Sequence, residues 1–600
     1  MSGTGADFLH HWDRHTGRQP CAPALVEGSE IWTYGRTDAR AEALAARLAA
    51  AGAGPGSVVG LALDRPREAV LAMLAVLKAQ AAFTVLDPGL PPEPRAHLVR
   101  EIDAALWLHS GPRPAHPLPS GTPRLDIAEG GDSAPPRRNL PVQDSRLAYI
   151  LFTSGSTGVP KGVMIERGPL GGFAEAVRDR LALDSADRWL QVCSLGFDVV
   201  IEEVFPVLAA GGAVVCRPDS RPLEPEDLHR LLSDSASTVV ELSTQYWHEY
   251  ARWLRAAGRT TPASLRTVLV GGERMDPAAY RDWQQRHPAA ALVHVYGLTE
   301  TTVTSTMYTG RLPEDADEVP IGSPLANALV TVRRDGRPVP LGEVGEIHIA
   351  GPSLARGFLH DERQTALRFR SDPAAPGARM YPTGDLGRRL PDGDLVFLGR
   401  KDAQLKVRGH RLEAAAVERA LESGDAVAQA AVLLDPADDS SLVAALVPAD
   451  RTLRPPAGTA RRLTAAQRLR AVRPVAAALH DWAVPTRLYW VAELPKNPHG
   501  KIDTAALAAL AGPAADAAPD PAAEAGDVPL RAVLHRFRTV LQAPSLGPDD
   551  DFFAHGGQSI LAMRLVSELR SELPAAGGLR VSALFDCRTP RRLTERITGH

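Results

Sequence analysis

Cysteine is scarce in this chain: Cys21, Cys193, Cys216 and Cys587 are all that its 600 residues hold. They lie far apart and form no C-x-x-C pair, so neither a zinc site nor a disulfide framework is expected, and a reducing compartment fits. Long apolar runs are missing too. The longest uncharged one, residues 204–216, is about a dozen residues broken by Pro206, Gly211 and Gly212, whereas a membrane helix needs about 20. The N-terminus carries Asp7, His10, His11 and Asp13 and lacks the apolar core of a signal peptide. No charge of one sign dominates: 67 Lys and Arg face 71 Asp and Glu, for a net charge of −4. That leaves no overall footprint for nucleic acid or an anionic membrane. The densest basic stretch, residues 461–473, alternates Arg with Ala and Leu and reads as a solvated helix face. A cytoplasmic protein with neither nucleic acid nor membrane as partner is the expectation.

What is present is an ordinary folded composition, 44% hydrophobic and 23% charged, on a chain too long for one core. Two to four domains are expected. Through residue 400, Ala/Leu-rich helical patterns alternate with short β-branched runs, at 58–63, 148–152, 239–242, 265–270 and 292–295. Such alternation predicts α/β units around largely parallel sheets. Residues 111–136 and 372–377 are rich in Pro and Gly and read as surface loops. From Val330 short strands take over, with turns at Asp335-Gly336 and Asp392-Gly393, which predicts hairpins of a smaller β-rich subdomain. Residues 512–527 are nearly all Ala, Pro, Gly and acid, too poor in apolar surface to fold, and so a flexible tether. Beyond them, periodic segments at 530–541, 559–569, 581–585 and 591–597 predict a small helical bundle.

Chemistry concentrates in a few segments. Residues 147–163 read Leu-Ala-Tyr-Ile-Leu-Phe-Thr-Ser-Gly-Ser-Thr-Gly-Val-Pro-Lys-Gly-Val. A buried strand there runs into small hydroxylated and glycine residues whose N–H and O–H groups suit phosphate oxygens. The generic P-loop pattern fails, because Pro160 stands where its second glycine belongs and Gly162 where its Mg²⁺-binding Ser/Thr belongs. Further segments follow in order: Leu77-Lys-Ala-Gln-Ala-Ala-Phe-Thr-Val-Leu-Asp-Pro88, Tyr296-Gly-Leu-Thr-Glu300, Gly345-Glu-Ile-His-Ile-Ala-Gly351 with Leu354-Ala-Arg-Gly-Phe358, Tyr381-Pro-Thr-Gly-Asp385, residues 399–413 (Gly-Arg-Lys-Asp-Ala-Gln-Leu-Lys-Val-Arg-Gly-His-Arg-Leu-Glu), and Pro495-Lys-Asn-Pro-His-Gly-Lys-Ile-Asp503. Near the end stands Asp550-Asp-Phe-Phe-Ala-His-Gly-Gly-Gln-Ser559 before an apolar-periodic helix.

Together these resemble the adenylate-forming superfamily, specifically the adenylation domains of nonribosomal peptide synthetases, fused to a peptidyl carrier domain. The resemblance covers nearly the whole chain. It implies an α/β multidomain protein: a large N-terminal adenylation region over 1–401 (parallel-type sheets with helices plus a small β-rich subdomain), a mobile α+β subdomain over 402–511, a linker at 512–528, and a helical-bundle carrier over 529–600. It implies ATP, Mg²⁺ and 4′-phosphopantetheine as cofactors. A carboxylate attacking the α-phosphate brings two anions together, so cations and dipoles must offset their repulsion. Lys501, a flexible point charge, resembles the family's bridging lysine; outside that motif it would read as a solvated surface lysine. Glu300 is the implied Mg²⁺ ligand. Thr153, Ser154, Gly155, Ser156, Thr157, Gly158 and Lys161 would hold phosphate. Gly272, Glu273, Tyr296, Gly297 and Thr299 would line the nucleotide, Asp385 would accept from the ribose hydroxyls, and Arg400 would add a contact. The family's small subdomain swings about an aspartate, here Asp402, between a pose presenting Lys501 and one presenting residues 404–409. Ser559, at a helix start after a glycine turn, suits an attached phosphodiester through free N–H groups and the helix dipole, against the alternative of a simple N-cap.

Residues 197–203, Phe-Asp-Val-Val-Ile-Glu-Glu, resemble the start of the family's amino-acid pocket. Asp198 then binds the substrate's α-ammonium, and Val199, Glu202, Glu241, Leu269, Gly271, Val295, Val303 and Thr304 line the rest, closed by Lys501. Two acids in an apolar slot raise one another's pKa unless a cation intervenes, so a basic side chain is favoured: lysine, ornithine, arginine, a shorter diamino acid or β-lysine. A neutral polar substrate, a ligase releasing a free acyl thioester, and a noncatalytic carrier scaffold are the alternatives. Departures from the family pattern are Gln80 for glycine, Val200 for serine, Leu298 for proline, His555 for leucine, and Ala414–Ala416 for a run holding Gly and Glu. The implied partners are an amino acid, a phosphopantetheinyl transferase, a condensation enzyme acting in trans and a small MbtH-type activator. Lys501→Ala is expected to abolish most ATP–pyrophosphate exchange, and Ser559→Ala to spare exchange while blocking thioester loading in intact-mass analysis. Undiminished exchange in the lysine variant would favour the scaffold.

Overall fold

The computed structural model describes residues 7–599, apart from 88–89, 112–117, 119–120, 122, 129–142, 154–159, 219–222, 374, 402–403, 408–409, 436–437, 496–501, 511–527, 542 and 544–545. Two large sheets carry the N-terminal region. In the nine-stranded one, the strands Val239–Ser243, Thr267–Gly271 and Ala291–Tyr296 run parallel side by side, and Arg188–Leu190 pairs parallel with the first of them. In the seven-stranded one, Val58–Ala62 pairs parallel with Ala82–Val85 and Leu106–His109, and Ala82–Val85 with Leu147–Thr153. The β-branched runs become these strands because both sheet faces are covered by helices, which rewards continuous apolar character. The helix Pro66–Lys78 shows why: every residue from Ala69 to Leu77 is buried.

One expected loop is not wholly a loop. Residues 124–126 form a short edge strand parallel to Leu106–His109, supported by ladder bonds that Pro and Gly content does not reveal. Both predicted hairpins are present. Leu329–Arg334 turns back into Arg337–Pro338 through Asp335 and Gly336 at φ of 50° and 78°, the doubly positive turn that matches strand twist. Arg379–Arg389 returns as Leu395–Arg400. These strands build a six-stranded sheet. Gln80, where the family pattern has glycine, sits at φ 60°, a region L side chains seldom occupy. Arg146 donates to its side chain there.

The small subdomain is α+β, with a four-stranded sheet and the hairpin Gln404–Val407/His410–Glu413. The basic stretch does not lie entirely in solvent. Residues 460–462 form a strand, and Arg468 on the helix Ala465–Ala478 is 7% exposed. Its Nη1 donates to the carbonyls of Pro485 and Thr486 at 2.7 and 3.0 Å, the partners that a buried guanidinium requires.

The carrier region folds as helices Val528–Val540, Ser559–Glu572, Val581–Asp586 and Pro590–Thr598. Its Val533, Phe537 and Leu565 share one buried apolar cluster with Leu228, Leu232 and Tyr246 of the large region. Glu224 fixes the orientation, its carboxylate accepting from the Val581 N–H at 2.8 Å and from Arg570 at 3.1 Å. On the other side Gln558 Nε2 donates to Val484 O at 3.0 Å. A Cβ on Gly556 would lie 2.4 Å from Thr486 O, so only glycine permits that approach. Hydrogen bonds to charged groups contribute about 1.5–3 kcal/mol. Glu224→Ala should therefore speed hydrogen exchange at the Val581 amide roughly tenfold or more, measured by exchange mass spectrometry.

Candidate functional site

A cavity of about 1610 Å³ opens where the carboxyl ends of the parallel strands meet the small subdomain and the carrier. Crevices beyond strand carboxyl ends are where open α/β sheets place ligands. Thr153, Asp198, Val199, Glu241, Gly271, Gly272, Glu273, Val295, Tyr296, Gly297, Thr299, Glu300, Val303 and Thr304 all line it. Register explains the grouping. Glu241 pairs with Leu269, and Ser243 with Gly271, which pairs in turn with Val295, so alternate residues of three strands share one face. Leu269 lies on that face but fully buried, one layer beneath the wall. A Cβ on Gly271 would stand 2.5 Å from Val295 Cγ2, and one on Gly297 1.8 Å from Val303 O.

The carboxylates are unequal. Asp198 precedes the helix Val199–Ala209 and accepts from Thr299 Oγ1 at 2.5 Å; burial pushes its pKa up, and the hydrogen bond opposes that. Glu241 is held well above the usual carboxylate range by burial and by the charges of Glu202, Glu203 and Asp198. Glu202 does not reach the wall. It is fully buried, accepts from Thr304 Oγ1 at 2.6 Å, and is pushed up to about 8, chiefly by burial. Glu202 Oε1 and Glu241 Oε2 have no hydrogen-bond partner among the described residues. Glu203 differs: Val192 N–H and Gln191 Nε2 donate to it at 2.7 and 2.8 Å, and the Arg217 charge acts on it. It shapes the strand-end loop.

Glu300 and Asp385 are held with equal specificity. Glu300 is 2% exposed, and its Oε1 accepts from the Tyr381 hydroxyl at 2.9 Å. Asp385 accepts from Tyr296 O–H at 2.6 Å and from Arg400 Nη1 at 2.6 Å, because β pairing sets Asp385 opposite Arg400. Neither Asp385 nor Arg400 lines the cavity here. Lys161 Nζ lies 5.7 Å from the Phe358 ring centroid and is also off the wall. Ser154, Gly155, Ser156, Thr157, Gly158, Asp402, Gly409, Lys501 and the Ser559 side chain lie outside the described residues.

Sequence reasoning missed two features. Thr302 and Val303 sit at φ 57° and 64°, a left-handed pair of β-branched residues that costs about 1–3 kcal/mol each. Thr302 Oγ1 donates to Ser353 O at 2.7 Å and Ser305 N–H to Tyr296 O at 2.8 Å, which hold the pocket loop in that shape. The second is an aromatic cluster: Phe197 meets His410 at 4.0 Å, and His410 meets Trp482 at 4.6 Å. His410 was visible in a motif, but only docking of the subdomain gives it a neighbour.

A family model described as AMP-binding enzyme matches residues 12–359, more than half of the chain. The chain belongs to that family. A second model, phosphopantetheine attachment site, matches residues 531–597 of this AMP-binding enzyme. The chain is 35% identical over 581 residues to novobiocin biosynthesis protein H of Streptomyces niveus, covering 94% of this chain and 91% of that one. It is 33% identical over 614 residues to a dimodular nonribosomal peptide synthase of Bacillus subtilis, covering 98% of this chain and 25% of that one. Of other long synthetases it spans 7 to 16%. Among solved structures, holo-PA1221, an NRPS protein containing adenylation and PCP domains bound to a vinylsulfonamide inhibitor, superposes with a TM-score of 0.83 at 25% identity, covering 99% and 97% of the two chains. An AMP-binding enzyme with this attachment site uses ATP, Mg²⁺ and 4′-phosphopantetheine. The residues present fit: Glu300 offers the carboxylate that Mg²⁺ takes together with phosphate oxygens, and the helix opening at Ser559 presents free N–H groups to a phosphodiester. No helix among the described residues is long and apolar enough to cross a membrane.

The buried glutamates set a pH dependence. A carboxyl raised in the folded state stabilises it fully below the unfolded pKa near 4.5 and loses that contribution as pH rises through about 8. Glu202→Gln should therefore melt higher than the parent at pH 9 and close to it at pH 5. The difference amounts to a few kcal/mol at about 1.4 kcal/mol per pKa unit, and thermal scans across that range check it.

Proposed function

We propose that this chain activates an amino acid with ATP to an aminoacyl adenylate and passes it to the pantetheine thiol on Ser559, as a loading unit for nonribosomal peptide synthesis. The division at 1–401, 402–511, 512–528 and 529–600 follows the same reading. Asp198 anchors the α-ammonium. Its carboxylate is already oriented by Thr299, and burying it without a cation costs several kcal/mol, on the order of a desolvated polar group. Lys501 bridges the substrate carboxylate and the α-phosphate, and Ser154–Gly158 with Lys161 receive the triphosphate. Mg²⁺, held by Glu300, offsets the phosphate charge. Asp385 and Arg400 serve the ribose once the Tyr296 hydroxyl releases Asp385.

The substrate side chain is basic. The observation that carries this is the pair Glu202 and Glu241, buried together with an unpartnered oxygen on each and, among the described residues, with no arginine hydrogen-bonded to either. An ammonium or guanidinium in the cavity meets Glu241 on the wall, and its charge, acting through space on Glu202 behind Thr304, draws both carboxyls towards their ordinary range. Lysine, ornithine, arginine, a shorter diamino acid and β-lysine share that chemistry.

The present arrangement is the thiol-transfer pose. In its support, His410, next to Gly409, rests on Phe197, and carrier residues Gly557 and Gln558 line the same cavity as Asp198. A phosphopantetheinyl transferase charges Ser559, Asp402 is the pivot to the other pose, and a condensation enzyme acting in trans takes the product in the cytoplasm. A small MbtH-type activator is a further candidate partner.

ATP–pyrophosphate exchange across an amino-acid panel should favour a basic member, and preference for leucine or phenylalanine over all of them would discard the idea. Calorimetry in buffers of differing ionisation enthalpy should show protons released on binding near pH 7, because a cation displaces protons from Glu202, pushed up to about 8, and from Glu241, held well above the usual carboxylate range.

A further inference from the structure

Between the carrier and the substrate anchor stands an imidazole–carboxylate pair that neither amino-acid selection nor ATP binding uses. His480 Nε2 lies 3.6 Å from Asp87 Oδ2. The aspartate follows the large region's strand Ala82–Val85, and the histidine follows the small subdomain's helix Ala465–Ala478, so the pair exists only while the subdomain is docked as here. Both line the main cavity. On one side, four residues along, Val484 O accepts from Gln558, the neighbour of Ser559. On the other, the His480 ring centroid is 6.4 Å from that of Phe197, the neighbour of Asp198. His480 therefore stands in the cavity between the backbone that holds Gln558 and the loop that carries Asp198. Space for Asp87 is built in: a Cβ on Gly196 would lie 2.5 Å from Asp87 Cβ.

We propose that His480, oriented by Asp87, is the general base that takes the proton from the pantetheine thiol before it attacks the aminoacyl adenylate. The proposal rests on the adenylation–thiolation reading above. The S–H proton moves to an imidazole nitrogen. The sulfur then forms a C–S bond with the acyl carbon, the acyl C–O bond to phosphate breaks, and AMP leaves with that electron pair. The imidazolium, paired with the Asp87 carboxylate, afterwards returns its proton to water. A free thiol has a pKa near 8.5 and is a poor nucleophile at neutral pH; a positioned base typically contributes about 10²–10⁴-fold. Because the two partners come from different subdomains, thiol activation is tied to the pose that admits the thiol. Among the described residues, titratable groups near His480 include His410 across Trp482, its neighbour Asp481 and, beyond Phe197, Asp198. The buried Cys193 thiol, held well above its usual range, also feels Asp87.

Phosphopantetheinylated full-length protein, its His480→Gln variant and a second variant, Asp87→Asn, test this by two readouts. In single-turnover loading from preformed aminoacyl adenylate at pH 7, His480→Gln should be slower by about 10²-fold, with a rate that climbs with pH towards the free thiol's pKa. The wild-type rate should level off above the imidazole's pKa. Asp87→Asn should lie between the two. Independently of turnover, iodoacetamide should alkylate the pantetheine thiol of the wild type at lower pH than that of His480→Gln. Equal alkylation profiles, or a loading deficit of the same factor from pH 6 to 9, would reduce the pair to a docking latch and overturn the proposal. Wild-type protein that gives no amino-acid-dependent pyrophosphate exchange would instead undo the adenylation reading itself.

Discussion

Four carboxylates, Asp198, Glu202, Glu203 and Glu241, are gathered at the ends of parallel strands in a space where water is scarce, and the site is organised around that constraint. Desolvation is the leading cause of every one of their upward shifts. A negative charge there is stable only with donors or a cation. Glu203 has donors supplied by the chain and is a structural group. Among the described residues, Glu202 and Glu241 each keep one oxygen without a hydrogen-bond partner.

The rest of the cavity is shaped by removal of bulk and by held strain. Gly271 and Gly297 leave backbone where a side chain would collide, and the left-handed Thr302–Val303 pair survives because Thr302, Ser305 and their carbonyl partners over-determine it. Three chain segments far apart in sequence then close one space. The carrier is fixed to the large region through Glu224 and to the small subdomain through the backbone of residues 484–486, so its attachment helix opens onto the cavity that holds Asp198.

Much of this was legible from local pattern. The strand runs at 58–63, 148–152, 239–242, 265–270 and 292–295, the two Asp-Gly hairpins and the carrier helices each obey a periodicity or a turn chemistry confined to neighbouring residues. The motif resemblance brought Asp198, Glu300 and Tyr296 to one cavity. Other features depend on distant partners. Glu202 looked like a wall residue but stands behind Thr304; Arg400 pairs with Asp385 through a β register that no motif announces; Arg468 looked solvated but holds two carbonyls of a separate loop. The short strand at 124–126 exists through ladder bonds to an element unrelated in sequence pattern.

By itself the sequence determined the family, the order of the folding units and the residue types that the chemistry requires, because periodicity, turn preference and motif spacing are short-range properties. The tertiary structure alone decided which acids lack a hydrogen-bond partner among the described residues, that His480 meets Asp87, and that the C-terminal helical region and Asp198 border one cavity. Those outcomes depend on desolvation and on distances between residues hundreds of positions apart, which only a folded chain fixes.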